Sequence, residues 1–280
     1  MEKYQAIERS IIKKFRPTIW RMFVRSIETY DLIQPNDKIA VCISGGKDSM
    51  LLAKCMQELQ RHGNIHFELV FMVMDPGYSK ANRALLEKNA QLLNIPITIF
   101  ETSIFNVVSS ITESPCYLCA RMRRGHLYAN AQKLGCNKIA LGHHFDDVIE
   151  TTLMSMLYGA QIKTMMPKLH SENYNKMELI RPLYMVKETA IKSWVAHNNL
   201  HFLQCACQFT ETITNQEQQS KRYEIKQLIN QLRTIYGDID INIFRSTHNV
   251  NLNTILGYHD DNMTYFFLDD YHQKNKINEE

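Results

Sequence analysis

Apolar residues recur along this chain with two periods, and the alternation between them predicts the fold. Residues 7–30 place Ile11, Ile12, Phe15, Ile19, Trp20, Phe23 and Ile27 on a broad helical stripe with basic residues opposite. Pro17 predicts a kink or helix boundary inside that stretch. A turn at Gln34-Pro35-Asn36-Asp37 follows, and residues 38–43 (KIAVCI) read as a buried strand. Helical periodicity returns over 48–61, a strand over 67–74 (FELVFMVM), a helix over 81–93 and a strand over 96–100. A short element at 104–108, a helix at 117–134, a strand at 138–141 (KIAL) and a helix at 146–158 come next. A strand at 177–182, a helix at 188–197 and a short strand at 200–203 complete the alternation. Apolar strands alternating with amphipathic helices predict an α/β fold, a doubly wound parallel sheet covered on both faces. From Phe209 the pattern changes to a long polar helix over 217–233 and a hairpin at 258–268 (YHDDNMTYFFL). The expected organisation is an N-terminal basic helical segment (1–37), a main domain (38–208), and a helical C-terminal appendage with an acidic tail (209–280).

Composition and charge narrow the classes. With 280 residues, 45% of them apolar, a sizeable core can be buried, which excludes collagen-like, mucin-like and wholly disordered chains. No apolar run approaches the roughly 20 residues of a membrane span. The opening MEKYQAIERS has no apolar h-region, so the expected place is the cytoplasm, with no membrane partner. The net charge of +3 hides an asymmetry. Residues 1–30 carry seven Lys/Arg against three Glu, and residues 121–138 carry five Lys/Arg and no acid, whereas 259–280 carry six acids against two Lys. Such basic segments suit either local polyanion binding or solvated helix faces. Seven cysteines, an odd number, argue against a disulfide framework. Cys42, Cys55 and Cys136 read as packing. Cys116 and Cys119 (C-x-x-C), and Cys205 and Cys207 (C-x-C), form two close pairs that suit a metal or cluster.

The richest stretch is Ser44-Gly45-Gly46-Lys47-Asp48-Ser49, between a buried strand and a helix. Such a loop aims backbone N–H groups and a helix N-terminus at an anion, and its glycines admit close approach of phosphate. Ser44 and Ser49 add hydroxyls, Lys47 adds charge, and Asp48 can hold Mg²⁺ or cap the helix. The spacing is not that of a Walker A loop, nor of a dinucleotide fingerprint. A second motif, Leu141-Gly142-His143-His144-Phe145-Asp146-Asp147, follows the strand expected beside the first, where ligands of doubly wound sheets bind. Asp146 and Asp147 open a helix there, and carboxylates in that position can coordinate Mg²⁺. His143 and His144 suit either metal binding or orienting this loop, and the second reading is preferred.

SGGKDS resembles the pyrophosphate loop of the PP-loop ATP pyrophosphatases, whose fold is adenine nucleotide alpha-hydrolase-like. With PCYLCARMRRGHLY, LGHHFDD and a late cysteine, residues 10–210 resemble the tRNA 2-thiocytidine synthetase family. The resemblance implies ATP binding by Ser44, Gly45, Gly46, Lys47, Asp48, Ser49, Asp75, Gly142, His143, Asp146 and Asp147, with Asp48 and Asp147 catalytic. It implies a [4Fe–4S] cluster on Cys116, Cys119 and Cys205, with Cys207 as the alternative third ligand, and Mg²⁺ beside ATP. It implies tRNA as substrate, contacted by Arg21, Arg121, Arg123 and Arg124. A cysteine desulfurase or other sulfur donor is an implied partner, and a homodimer is expected. The implied reaction adenylates the C2 oxygen of an anticodon-loop cytosine and replaces it with sulfur. The alternatives are another acceptor, either another tRNA base or a small molecule that is thiolated or amidated, and a nucleotide-binding Fe–S sensor. This chain departs from the family pattern in having C-x-C where members have C-x-x-C, and in its last 70 residues.

Overall fold

Strand β1 (Lys38–Ile43) is apolar at every position after its first, and its alternate side chains serve two cores. Ile39, Val41 and Ile43 enter one cluster, Ala40 and Cys42 another. A strand buried on both faces belongs in the middle of a covered sheet. The computed structural model describes residues 2–102, 104, 115–203, 221–269 and 271, with the helical backbone alone over 115–120.

The chain enters through helix α1 (Lys3–Ile12), a π-helical turn (Arg16–Trp20) and helix α2 (Arg21–Thr29). Pro17, lacking an N–H, sits in the first positions of that turn, as its chemistry requires. Ile7, Ile11, Phe15, Ile19, Phe23 and Ile27 form the buried stripe. Then come α3 (Lys47–His62), β2 (Glu68–Asp75), α4 (Lys80–Leu92), β3 (Ile97–Glu101), α5 (Pro115–Lys133), β4 (Lys138–Ala140) and α6 (Phe145–Gly159). They are followed by β5 (Lys168–His170), β6 (Glu178–Ile180), α7 (Glu188–His197) and α8 (Lys221–Ile235). Helix α9 (Ile239–Ser246), a 3₁₀ turn and a hairpin of β7 (Gly257–His259) and β8 (Thr264–Phe266) complete the described chain.

The sheet order is β3-β2-β1-β4-β6-β5. β1 pairs in parallel with β2 and with β4, so the strand leading to each motif lies beside the other. The helices α1 to α4 and α7 contribute to the core on one face, whereas Tyr128 and Ala131 of α5 pack with Ala40, Cys42, Met72 and Ile139 on the other. The doubly wound α/β sheet expected from the sequence is therefore present. Two details differ. The sheet is mostly rather than wholly parallel, because β5 pairs antiparallel with β6 at the edge. Residues 200–203 are not a strand; the Leu203 N–H donates to the Gly45 carbonyl (3.2 Å), in the loop after β1, instead of to a sheet neighbour.

Of the element expected at 104–108 only residue 104 is among the described residues, and the start of the helix expected from 217 lies outside them. Among the described residues no helix is long and apolar enough to cross a membrane. The chain divides into two compact units, Met1–Gln231, which holds the sheet, and Leu232–Glu280, which holds α9 and the hairpin.

Candidate nucleotide site

The loop from β1 to α3 is closed by its own hydroxyls. Ser49 Oγ donates to the Gly46 carbonyl (2.9 Å) and accepts the Ser44 N–H (3.2 Å). Gly45 has φ +84°, and a Cβ there would stand 2.6 Å from Leu203 Cδ1, so both backbone and space call for glycine. Gly46 begins α3 without a side-chain cap. The first N–H groups of α3 have no intrahelical acceptor, and a phosphate is a natural partner for them.

The loop after β4 is seated against this one. A Cβ on Gly142 would lie 3.0 Å from the Ser49 nitrogen and 3.1 Å from the Asp48 carbonyl carbon, so the two backbones touch only because residue 142 is glycine. Buried His144 stands between two carboxylates. Its Nε2 is 3.8 Å from Asp48 Oδ1, and its Nδ1 is 3.4 Å from Asp147 Oδ2. Asp147 Oδ2 also accepts the His144 N–H (2.9 Å), capping α6. Burial pushes Asp147 up, but the charge and N–H of His144, with His143 and Arg222, outweigh it and hold the carboxyl below its usual range. Burial, then Arg181, pulls His143 down to about 4, and Arg181 Nε donates to its Nδ1 (3.3 Å).

Asp48 is split between two environments. Its Oδ2 takes Lys47 Nζ (3.0 Å), while its Oδ1 is buried with no hydrogen-bond partner. An unsatisfied buried carboxylate oxygen fits a hard cation. Among the described residues no three His, Cys, Asp or Glu side chains converge as a metal cage.

Glu188, at the start of α7, has no motif around it in the sequence and is central in space. Its Oε1 lies 3.3 Å from Lys47, and its Oε2 takes Lys192 and Lys226 at 2.9 Å each. Burial raises it, but the lysine hydrogen bonds and charges prevail and bring it to about 2. Arg222 of α8 reaches Asp147 Oδ1 (3.8 Å) and Glu150 Oε2 (3.4 Å). An acid in a helix's first turn and cations in a polar helix are common features, so nothing local marked these residues.

The other expected residues are distributed as follows. Asp146 is buried, and its Oδ2 accepts the Glu188 N–H (2.7 Å), which ties the second motif to α7. The Asp75 carboxylate accepts the N–H groups of Gly77 (2.9 Å) and Tyr78 (2.7 Å) and pairs with Arg83 (2.5 Å). The Tyr78 hydroxyl reaches the Ser44 carbonyl (3.4 Å), linking that turn to the phosphate loop. Arg21 is exposed on α2; Arg121 and Arg124 are exposed and Arg123 half-buried on α5. Cys116 and Cys119 are the second and fifth residues of α5, their side chains outside the described residues, and Cys205 and Cys207 lie wholly outside them. Cys42, Cys55 and Cys136 are free and buried, as packing residues are.

A phosphate loop after the first strand of such a sheet, with an aspartate loop seated on it, defines a nucleotide-binding class. The sequence matches the family model described as the PP-loop domain over residues 17–232. Proteins named tRNA-cytidine(32) 2-sulfurtransferase are similar to it. The one from Aeromonas hydrophila is 33% identical over 232 residues, covering 82% of this chain and 74% of the relative. The one from Neisseria meningitidis is 38% identical over 183 residues, covering 64% of this chain but only 57% of the relative's length. The fold is similar to that of the U34-tRNA thiolase NcsA from Methanococcus maripaludis, a structure with its [4Fe–4S] cluster (TM-score 0.62, 19% identity, 81% of this chain and 76% of that one). The chain belongs to the PP-loop family, in the group that carries the name tRNA-cytidine(32) 2-sulfurtransferase.

Proposed function

We propose that this chain is an ATP-dependent tRNA sulfurtransferase that exchanges the C2 oxygen of a cytosine for sulfur. The observation that carries it is the contact of Gly142 with Ser49 and Asp48, which brings the phosphate loop and the aspartate loop together at the carboxyl ends of β1 and β4. That is where an open α/β sheet binds its ligand.

In this reading the triphosphate lies on residues 44–49, held by N–H groups, the serine hydroxyls and Lys47. The C2 oxygen of the base attacks the α-phosphorus, and the bond to pyrophosphate breaks. The base now carries AMP on that oxygen, a far better leaving group. A sulfide equivalent from a sulfur donor adds to C2, and the C2–O bond breaks, so AMP departs with the oxygen that came from the base. The chain's part is positioning and charge stabilisation, through preorganised donors aimed at the phosphates. Asp48, with its orphaned oxygen, would hold Mg²⁺, which when bound neutralises phosphate charge.

Cys116, Cys119 and Cys205, with Cys207 as the alternative third ligand, would hold a [4Fe–4S] cluster. Two cysteines three residues apart on one helix plus a third cysteine are a fitting donor set, and a cluster held there would supply iron as a site for sulfur. Arg21, Arg121, Arg123 and Arg124 would meet RNA phosphates, and the target base must leave its stack to reach the site. The names of the relatives support cytidine in tRNA as the substrate. Mass spectrometry of tRNA nucleosides from cells with and without the gene tests this. Loss of 2-thiocytidine with the gene is expected; an unchanged level would sink the reading.

A further inference from the structure

Helix α8 lies after the last segment of the sheet, yet it supplies two cations to the phosphate site. Lys226 Nζ and Lys47 Nζ bind opposite oxygens of one carboxylate, Glu188, at 2.9 and 3.3 Å. Lys226 therefore stands one carboxylate away from the lysine of the phosphate loop. Arg222, one turn earlier on α8, lies on Asp147 and Glu150, with Nη2 3.5 Å from Thr151 Oγ1. Four cations (Lys47, Lys192, Lys226, Arg222) thus face four acids (Asp48, Asp147, Glu150, Glu188).

We propose that Arg222 and Lys226 are phosphate-binding residues of the nucleotide site, which in the free protein are held on its acids. This rests on the ATP-site reading above. The constellation has the composition that a metal–polyphosphate needs, anionic oxygens for the metal and ammonium and guanidinium groups for the phosphates. With no nucleotide the two sets neutralise each other. When Mg²⁺ and ATP bind, the two sets exchange partners: the cations take the phosphates and the metal takes carboxylate oxygen. Arg222 and Lys226 are 47% and 40% exposed, so their side chains have room to turn from the acids to a bound phosphate. The two cations then lie along the β- and γ-phosphates, next to the Lys47 end of the chain of charges. A guanidinium can also hold phosphate oxygens in bidentate fashion.

Calorimetric titration of the full chain with Mg²⁺ and α,β-methylene-ATP, with pyrophosphate and with AMP tests the proposal. For the unaltered protein, binding of the triphosphate analogue is expected; if it binds none, the ATP-site reading itself fails. Given that binding, Arg222→Gln and Lys226→Gln should each weaken the analogue and pyrophosphate by roughly tenfold, the loss of one charge-assisted contact, and leave AMP within about twofold. Equal weakening of AMP, or no weakening, overturns the proposal. A role limited to masking Glu150 is separated by Arg222→Gln/Glu150→Gln, which restores charge balance. The double variant should stay weak; recovery would overturn the proposal. Gln227→Ala, on an exposed position of the same helix, should bind like the unaltered protein, and a parallel loss there would mean that the helix and not its cations is responsible.

Discussion

Lys47 and Asp48 are adjacent, opposite in charge and paired with each other, yet both also face outward to other partners, Glu188 and His144. In the proposed reading, where the loop holds both a polyanion and a cation, such divided side chains serve both. His143 provides a measurable consequence. Held at about 4 by burial and by Arg181, it stays neutral in the folded protein while an unfolded chain takes up a proton near 6.5. Below pH 6.5 the unfolded state binds more protons, so stability falls as pH drops towards 4, by at most about 1.4 kcal/mol per pH unit from this group, and levels off below. Urea unfolding at pH 7 and pH 5 should show a smaller drop for His143→Gln than for the unaltered chain; equal drops would show that His143 does not titrate as described. At this scale the contiguous motifs were legible, because SGGKDS and LGHHFDD each concentrate their chemistry in a few adjacent positions. Glu188, Arg222, Lys226 and Arg83 were not. Each looks like an ordinary helix residue, and only the fold brings it to the loops.

The N-terminal helix α1 is attached to the helix that carries the phosphate loop by a buried ion pair. Lys54 of α3 is fully buried, and its Nζ binds Glu8 Oε1 (2.5 Å), Gln57 Oε1 (2.7 Å) and the Leu93 carbonyl (2.7 Å). Arg61 shares the Glu8 oxygen at 3.0 Å. Removing the carboxylate strands a buried ammonium, so Glu8→Ala should cost about 3 kcal/mol in urea unfolding. Glu8→Ala/Lys54→Met, which removes both partners, should regain most of it. A single variant costing under about 1 kcal/mol would mean that water already reaches Lys54. The element pattern itself was readable where apolar side chains set it: β1 to β4, β6 and the helices between them lie within a residue or two of expectation, the last also allowing for β6 being shorter. The exceptions have a common cause. β5 is three residues long at an edge, with two of them exposed, so it has no apolar signature. α9 has one buried residue, Asp240, and no apolar stripe that the core selects. At 200–203 the apolar Leu200 and Leu203 pack into the core without joining the sheet, because the Leu200 N–H donates back to Val195 in α7 and the Leu203 N–H donates to the phosphate loop.

At the scale of the whole chain, the proposed nucleotide site and the proposed cluster cysteines are neighbours in sequence order. The segment 204–220 carries Cys205 and Cys207, and the described residues on either side of it contact the nucleotide site. Leu203 donates to Gly45, and Arg222 reaches Asp147. In the proposed reaction ATP activation and sulfur delivery act on one base in succession, and Leu203 and Arg222, which flank the cysteines in sequence, both contact the nucleotide site. The near-zero net charge is compatible with the proposed RNA substrate, since the +3 sum hides the basic residues of 1–30 and 121–138. The central claim is that the base oxygen itself is activated by ATP and leaves in AMP. It is tested most directly by supplying tRNA whose cytosine C2 oxygen is ¹⁸O, with ATP, Mg²⁺ and a sulfide source, to the anaerobically prepared protein. The account predicts one ¹⁸O in each AMP released and none in pyrophosphate, in step with 2-thiocytidine formed. Unlabelled AMP alongside thiolated tRNA would contradict it.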